Sequence, residues 1–160
     1  MDKVVVKIAD YGIAEAPAIL VTYGLGSCVA VALYDTETRM GGLCHIMLPS
    51  STVARASGNP KKFADMCISE MLKDVAGRGC RVDRMVAKIA GGARMFDLPH
   101  KEKSSSIGER NRDAVLIELA KRRIPLIAED TGENYGRTVE FHTENGDMLV
   151  RSLRSGTKVI

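Results

Sequence analysis

Between Thr22 and Pro49 the sequence sets two apolar runs, Val29-Ala-Val-Ala-Leu33 and Ile46-Met-Leu48, on either side of a polar break. Both runs are apolar at every position, not at alternate ones. Successive strand residues point to opposite faces of a sheet, so strands of this kind need a cover on both sides. A layered α/β domain supplies two covers. The runs are near enough in sequence to form an antiparallel hairpin, in which the numbers of opposed residues add to a constant.

That hairpin carries two reactive side chains. Cys28 follows the glycine-rich Thr22-Tyr-Gly-Leu-Gly-Ser27, and His45 interrupts the returning apolar run. If the four-residue loop Asp35-Thr36-Glu37-Thr38 joins paired Tyr34 and Arg39, Cys28 lies directly opposite His45. Opposed Cβ atoms are about 4.5–5.5 Å apart, within reach of a thiolate–imidazolium pair. A loop of three or five residues centred on Thr36 instead sets Cys44 opposite Cys28 and turns His45 to the other face. Alternation does not separate these registers, because the runs are apolar on both parities.

The 160 residues predict one domain, 1–160, long enough to build a core without disulfide or metal staples. A hydrophobic content of 45% with 27% charged residues is that of a soluble globular protein. No apolar run approaches the ~20 residues of a membrane span, and Met-Asp-Lys-Val does not open a signal peptide, so the expectation is a cytoplasmic protein without membrane insertion. Cys28, Cys44, Cys67 and Cys80 contain no CxxC pairing, which argues against a zinc ribbon or a thioredoxin-type motif. They are expected as thiols, with Cys67 and Cys80 serving as small apolar side chains. A net charge of +3, no Trp and 4% aromatics offer nucleic acid little to bind, so none is expected as a partner.

Along the chain, Lys3–Ile8 and Ala18–Thr22 read as strands, with Asp10-Tyr-Gly12 closing the first. Ser50 to Pro60 reads as a surface loop. Ala64, Cys67, Ile68, Met71, Leu72 and Val75 recur at the helical period within Phe63–Val75. Val82–Ala90 predicts a strand leading into Gly91-Gly92, where close backbone approach or a positive φ explains the glycines better than a phosphate loop. His100 to Ser106 predicts a loop, Ile107 to Arg123 a second helix, and Leu126–Glu129 a strand. Thr138–His142 and Met148–Leu153 form a hairpin around Asn145-Gly146. Strands that mostly neighbour one another, with two main helices inserted, predict an α+β fold: a layered α/β sandwich of mostly antiparallel sheets.

The histidines divide by setting. His100 reads as solvated, and His142 as salt-linked to Glu140 or Glu144. His45 sits in a buried strand and needs partners for its ring nitrogens. Adjacent strand residues face opposite ways, so Cys44 and His45 make a poor ligand pair and neither metal nor cofactor is expected. Cys28 reads either as a structural thiol or as a nucleophile activated by His45. The Gly24–Ser27 turn allows close approach of substrate, with backbone N–H groups at Gly26 and Ser27 as candidate oxyanion donors. A third polar group must orient the imidazole, and the Thr22 hydroxyl is available unless Thr22 is an ordinary strand former. Burial is expected for Met95-Phe96, the other reading being an exposed anchor for a partner.

Thr22-Tyr-Gly-Leu-Gly-Ser-Cys28-Val, His45-Ile-Met-Leu-Pro49, Lys88-Ile-Ala-Gly-Gly-Ala93, Ile107-Gly-Glu-Arg-Asn111 and Glu129-Asp-Thr-Gly132 occur in this order. Together they resemble the CheD family of chemoreceptor glutamine deamidases over nearly the whole chain. The resemblance implies a domain related to the deamidating bacterial toxins. It also implies hydrolysis of receptor glutamines to glutamate and ammonia, with receptor methyl-ester hydrolysis as a related activity. By motif position it implies Cys28 as nucleophile, His45 as base and Thr22 as the residue that orients it, without a cofactor. The implied partners are the cytoplasmic helices of chemotaxis receptors and a CheC-type phosphatase, with Phe96 as a candidate contact. The chain departs from the family pattern at Ser106, where Asn is frequent, and at Glu133, where a second Gly commonly follows Gly132. The competing reading is a non-catalytic module that docks on receptor helices or on the phosphatase.

Overall fold

The computed structural model describes residues 2–52, 58–96 and 106–160. Its strands are β1 (Lys3–Val5), β2 (Asp10–Glu15), β3 (Ile19–Leu25), β4 (Val29–Asp35), β5 (Met40–Ile46), β6 (Met85–Gly91), β7 (Leu126–Thr131), β8 (Arg137–His142), β9 (Met148–Ser152) and β10 (Gly156–Val159). Two α-helices, α1 (Ala64–Gly77) and α2 (Ile107–Lys121), and two short 3₁₀ turns, Pro60–Lys62 and Val82–Arg84, complete the regular structure among the described residues, so the strand expected from Val82 begins at Met85. One sheet has the order β2-β5-β4-β6-β7 and the other β1-β3-β8-β9-β10. Only β1–β3 and β6–β7 are parallel pairs. The result is the expected α+β arrangement of mostly antiparallel sheets.

The doubly apolar strands sit in the middle layer. Val29, Val31 and Leu33 of β4 join Cys44 and Ile46 of β5 in a core against α1 and α2. Ala30, Ala32 and Tyr34 point the other way and meet Leu20, Val139, Phe141 and Val150 of the second sheet. Each central strand therefore buries both faces, and no polar alternation appears because neither face meets water. The predicted stripe of α1 is the buried one, Ala64, Cys67, Ile68, Met71, Leu72 and Val75. None of the helices is long and apolar enough to cross a membrane among the described residues.

Three details depart from the sequence expectations. Asp10-Tyr-Gly12 is not a terminator but the start of β2, which pairs along the edge of β5. β10 is a further strand, exposed along its length and paired only with β9. The β4–β5 hairpin is offset by two residues: Asp35 pairs with Met40, so the loop is Thr36-Glu37-Thr38-Arg39. Asp35 causes the shift, since its carboxylate accepts from the N–H groups of Glu37 and Thr38 and from the Arg84 guanidinium, closing the turn at that residue. The middle of the Ser50–Pro60 loop and most of the His100–Ser106 loop lie outside the described residues.

Candidate active site

With the observed register His45 opposes Ala30, and the ladder ends at Val29 and Ile46. Cys28 is thus not directly opposite His45. A two-residue offset preserves parity, so both still project from the same face, diagonally across the pair, towards the second sheet. Cys44 faces α1 instead, its thiol on the Met71 sulfur. The alternative hairpin register, with Cys44 opposite Cys28, is not adopted.

Thr22 arrives from β3 in the second sheet and completes the group across the sandwich. Its Oγ1 lies 2.7 Å from His45 Nδ1, and its hydroxyl donates to the Val6 carbonyl, also at 2.7 Å. A hydroxyl has one proton. Since that proton goes to Val6, the Thr22 oxygen must accept from His45, which puts the ring proton on Nδ1. Nε2 is then a bare acceptor, buried and without a hydrogen-bond partner among the described residues. Burial also depresses the basicity of the ring, taking its pKa from 6.5 to about 4. At neutral pH His45 is therefore an uncharged base with a free lone pair.

All four cysteines are free thiols. Cys28 is the most accessible of them at 9%, against 5% for Cys80 and 0% for Cys44 and Cys67. Burial raises its thiol above the ordinary value, with its own backbone N–H pulling the other way. The site thus differs from a preformed thiolate–imidazolium pair, since burial favours the neutral form of both groups.

Three parts of the chain, the turn before Cys28, the end of β6 and α2, fix the approach to Cys28. The carbonyl of Gly26 accepts from Ala93 N–H and that of Cys28 from Gly92 N–H, at 2.9 and 2.8 Å. The Ser27 carbonyl accepts from the Asn111 side chain at 2.9 Å. In a trans peptide the N–H points opposite to the preceding carbonyl. Anchoring the Gly26 and Ser27 carbonyls in the body of the protein therefore turns the N–H groups of Ser27 and Cys28 the other way. Gly91 makes this packing feasible: its φ is +111°, and a Cβ there would stand 2.3 Å from the Cys28 oxygen. The glycines after β6 serve close approach, as the sequence suggested.

The rim of the turn is apolar. Met95 packs its side chain against Gly26, while Phe96 is 85% exposed and Tyr23 56%. Burial of Met95-Phe96 is overturned, because the chain leaves β6 along the surface, where Met95 and Phe96 are both exposed. His142 lies 3.8 Å from the Glu140 carboxylate, as expected, and His100 is outside the described residues. Asn111 is the contact that sequence reading passed over. Its signal was a polar residue at buried helical spacing, four positions before Val115.

The sequence model of the CheD family, described as CheD chemotactic sensory transduction, matches residues 47–152. That stretch begins just after His45, but full-length relatives cover the rest. A protein of Moorella thermoacetica named probable chemoreceptor glutamine deamidase CheD is 50% identical over 99% of this chain and 95% of its own length. Proteins with the same name from Syntrophomonas wolfei, 44% identical over the full length of both chains, and, numbered CheD 2, from Geobacter metallireducens, 43% identical over 99% of each, are similar. A match over most of the chain, with full-length identity approaching one half, establishes that this chain belongs to the CheD family.

Proposed function

We propose that this protein is a chemoreceptor glutamine deamidase in which Cys28 is the nucleophile, His45 the general base and Thr22 the residue that holds His45 in its Nδ1–H tautomer. The observation that carries the reading is the Thr22–His45 hydrogen bond, which leaves a bare, buried Nε2 on the face shared with Cys28. Such a constellation has a chemical use and a poor structural one, because an unpartnered ring nitrogen costs stability.

The reaction begins when a substrate glutamine carboxamide reaches Cys28 across the apolar rim. Nε2 removes the thiol proton as Sγ attacks the amide carbon, and the thiolate and imidazolium stabilise one another as they form. Catalytic hydrogen bonds are often long in a free enzyme and tighten in the complex, and in this reading the Sγ–Nε2 contact forms when substrate binds. The N–H groups of Ser27 and Cys28 face the oxyanion, while Gly26 contributes its lack of a side chain and an anchored carbonyl. Imidazolium then protonates the departing nitrogen, the C–N bond breaks, and ammonia leaves a thioester. Water, deprotonated by His45, cleaves the thioester to glutamate and regenerates the thiol. A glutamyl methyl ester follows the same route with methanol as leaving group.

The substrates in this reading are glutamines on the cytoplasmic helices of receptors, and the protein acts in the cytoplasm. In this reading Phe96 contacts such a helix, or a CheC-type phosphatase that competes for the same rim. Its exposure supports that role. The test is incubation with a glutamine-bearing receptor fragment, following ammonia and the mass gain of about 1 Da that accompanies conversion of an amide to an acid. Turnover by the intact protein, lost in Cys28→Ala, is expected. Binding without turnover would favour a docking module, and turnover unchanged in Cys28→Ala would remove Cys28 from its role.

A further inference from the structure

Asn111 stands on the buried face of α2, fully enclosed, where helix packing alone would favour an apolar side chain. Its Nδ2 donates to the carbonyl of Ser27 and to the carbonyl of Met47, each at 2.9 Å. Those two carbonyls belong to the residue before Cys28 and to the second residue after His45. They lie beyond Val29 and Ile46, where the β4–β5 ladder stops. One carboxamide thus replaces the next rung and spans the two strand ends.

The helix is itself held close to this point. Gly108, one turn before Asn111, lies against the carbonyls of Gly92 and Ala93, where a Cβ would meet oxygen at 2.4–2.5 Å. Gly92 and Ala93 in turn donate to the carbonyls of Cys28 and Gly26. The nucleophile's turn is gripped from two sides, by the glycine segment and by Asn111. Among the described residues, the strand bearing His45 is tied to it at this end through Asn111. Oδ1 has no partner among the described residues, so the side chain is kept for its two donors.

We infer that Asn111 is a positioning residue: its carboxamide fixes the separation of the Cys28 and His45 strand ends and so allows Nε2 to serve Sγ. This rests on the assignment of Cys28 and His45 made above. A displacement of about 1 Å between reacting groups is enough to lower a rate about 10²-fold.

The test is a double-mutant cycle on the full chain, read as the rate of Cys28 alkylation by iodoacetamide at neutral pH and as kcat and KM for the receptor fragment. In the wild type His45→Ala slows Cys28 alkylation about tenfold or more. In an Asn111→Ala background the same change has less than about a twofold effect, because Nε2 no longer reaches Sγ. Asn111→Ala lowers kcat about 10–100-fold with KM within about threefold. Val115→Ala, one turn along the same buried face, is matched to it in Tm loss but keeps kcat and the His45 effect. Equal His45 effects in both backgrounds, or equal kcat losses in Asn111→Ala and Val115→Ala, would overturn the inference. If His45→Ala leaves alkylation unchanged in the wild type, the fault lies with the Cys28–His45 assignment instead. Should Asn111→Ala not fold, exchange of the Asn111 carboxamide protons in the wild-type protein decides: slow exchange of both supports the clamp, and exchange at the solvent rate contradicts it.

Discussion

At the scale of single residues, the site depends on which nitrogen of His45 holds the proton. Thr22 decides this by spending its own proton on Val6 and accepting from Nδ1. Thr22→Val keeps the shape and removes the acceptor, so kcat should fall about 10²-fold with little change in KM, while Thr22→Ser should stay within about tenfold of wild type. Steady-state kinetics on a receptor fragment check both. A pH profile gives an independent reading. The proposed base works when neutral, and burial takes the His45 pKa from 6.5 to about 4. The acid limb of kcat/KM should therefore rise through a pH near 4 and be flat across 6.5. A limb centred at 6.5 would mean a solvated imidazole and a different base. Sequence reading singled out Cys28, His45 and Thr22 as candidates from residue types and family resemblance, and the fold brings Thr22 against His45. It did not find the tautomer, because the Val6 carbonyl that settles it belongs to a distant segment.

At the scale of elements, strand identity was legible where side chains are buried and not where pairing alone makes the strand. β4, β5 and β6 declare themselves by apolar runs, and α1 by its period. β2 carries Asp, Gly and Glu and becomes a strand because the edge of β5 needs partners; β10 is the same case on β9. The hairpin register was missed by two residues because Asp35 is bound by Arg84, which enters from beyond α1. The face was still right, since parity survives an even shift. The two departures from the family pattern also acquire physical meanings. Ser106 caps α2 by accepting from Glu109 N–H, a role that Asn fills equally well. Glu133 has a φ of +61°, the left-handed region that glycine occupies without strain. Glu133→Gly should consequently stabilise the protein by about 0.5–1 kcal/mol, seen as a higher denaturant midpoint at unchanged slope. A lower midpoint would mean that the Glu133 side chain contributes more than its backbone costs.

At the scale of the whole molecule, the site weakens the fold in acid. The unfolded chain protonates His45 near 6.5 and the folded chain near 4. Its burial is tolerated in full above pH 6.5, and stability falls as pH drops from there towards 4, by up to roughly 3 kcal/mol. Asp35 does not explain a loss in that window. Burial would raise its carboxyl, but Arg84 and backbone N–H groups outweigh this and hold it at about 2 against 3.8, so its contribution declines only below about pH 3.8. Urea midpoints at pH 7 and 4.5 should differ more in wild type than in His45→Ala; equal differences would assign the acid loss elsewhere. The three layers bring Thr22 from one sheet to Cys28 and His45 on the other, with the turn after β3 and the segment after β6 closing over them. In the proposed mechanism this arrangement serves one chemical event, attack of Cys28 on a side-chain amide. The most direct measurement is mass spectrometry of an acid-quenched mixture of the protein and a glutamine-bearing receptor fragment. The account predicts an adduct equal to protein plus fragment less one ammonia, mapped to Cys28, labile to hydroxylamine and absent in Cys28→Ala. Deamidation that proceeds with no such adduct, or an adduct mapped to another residue, would contradict it.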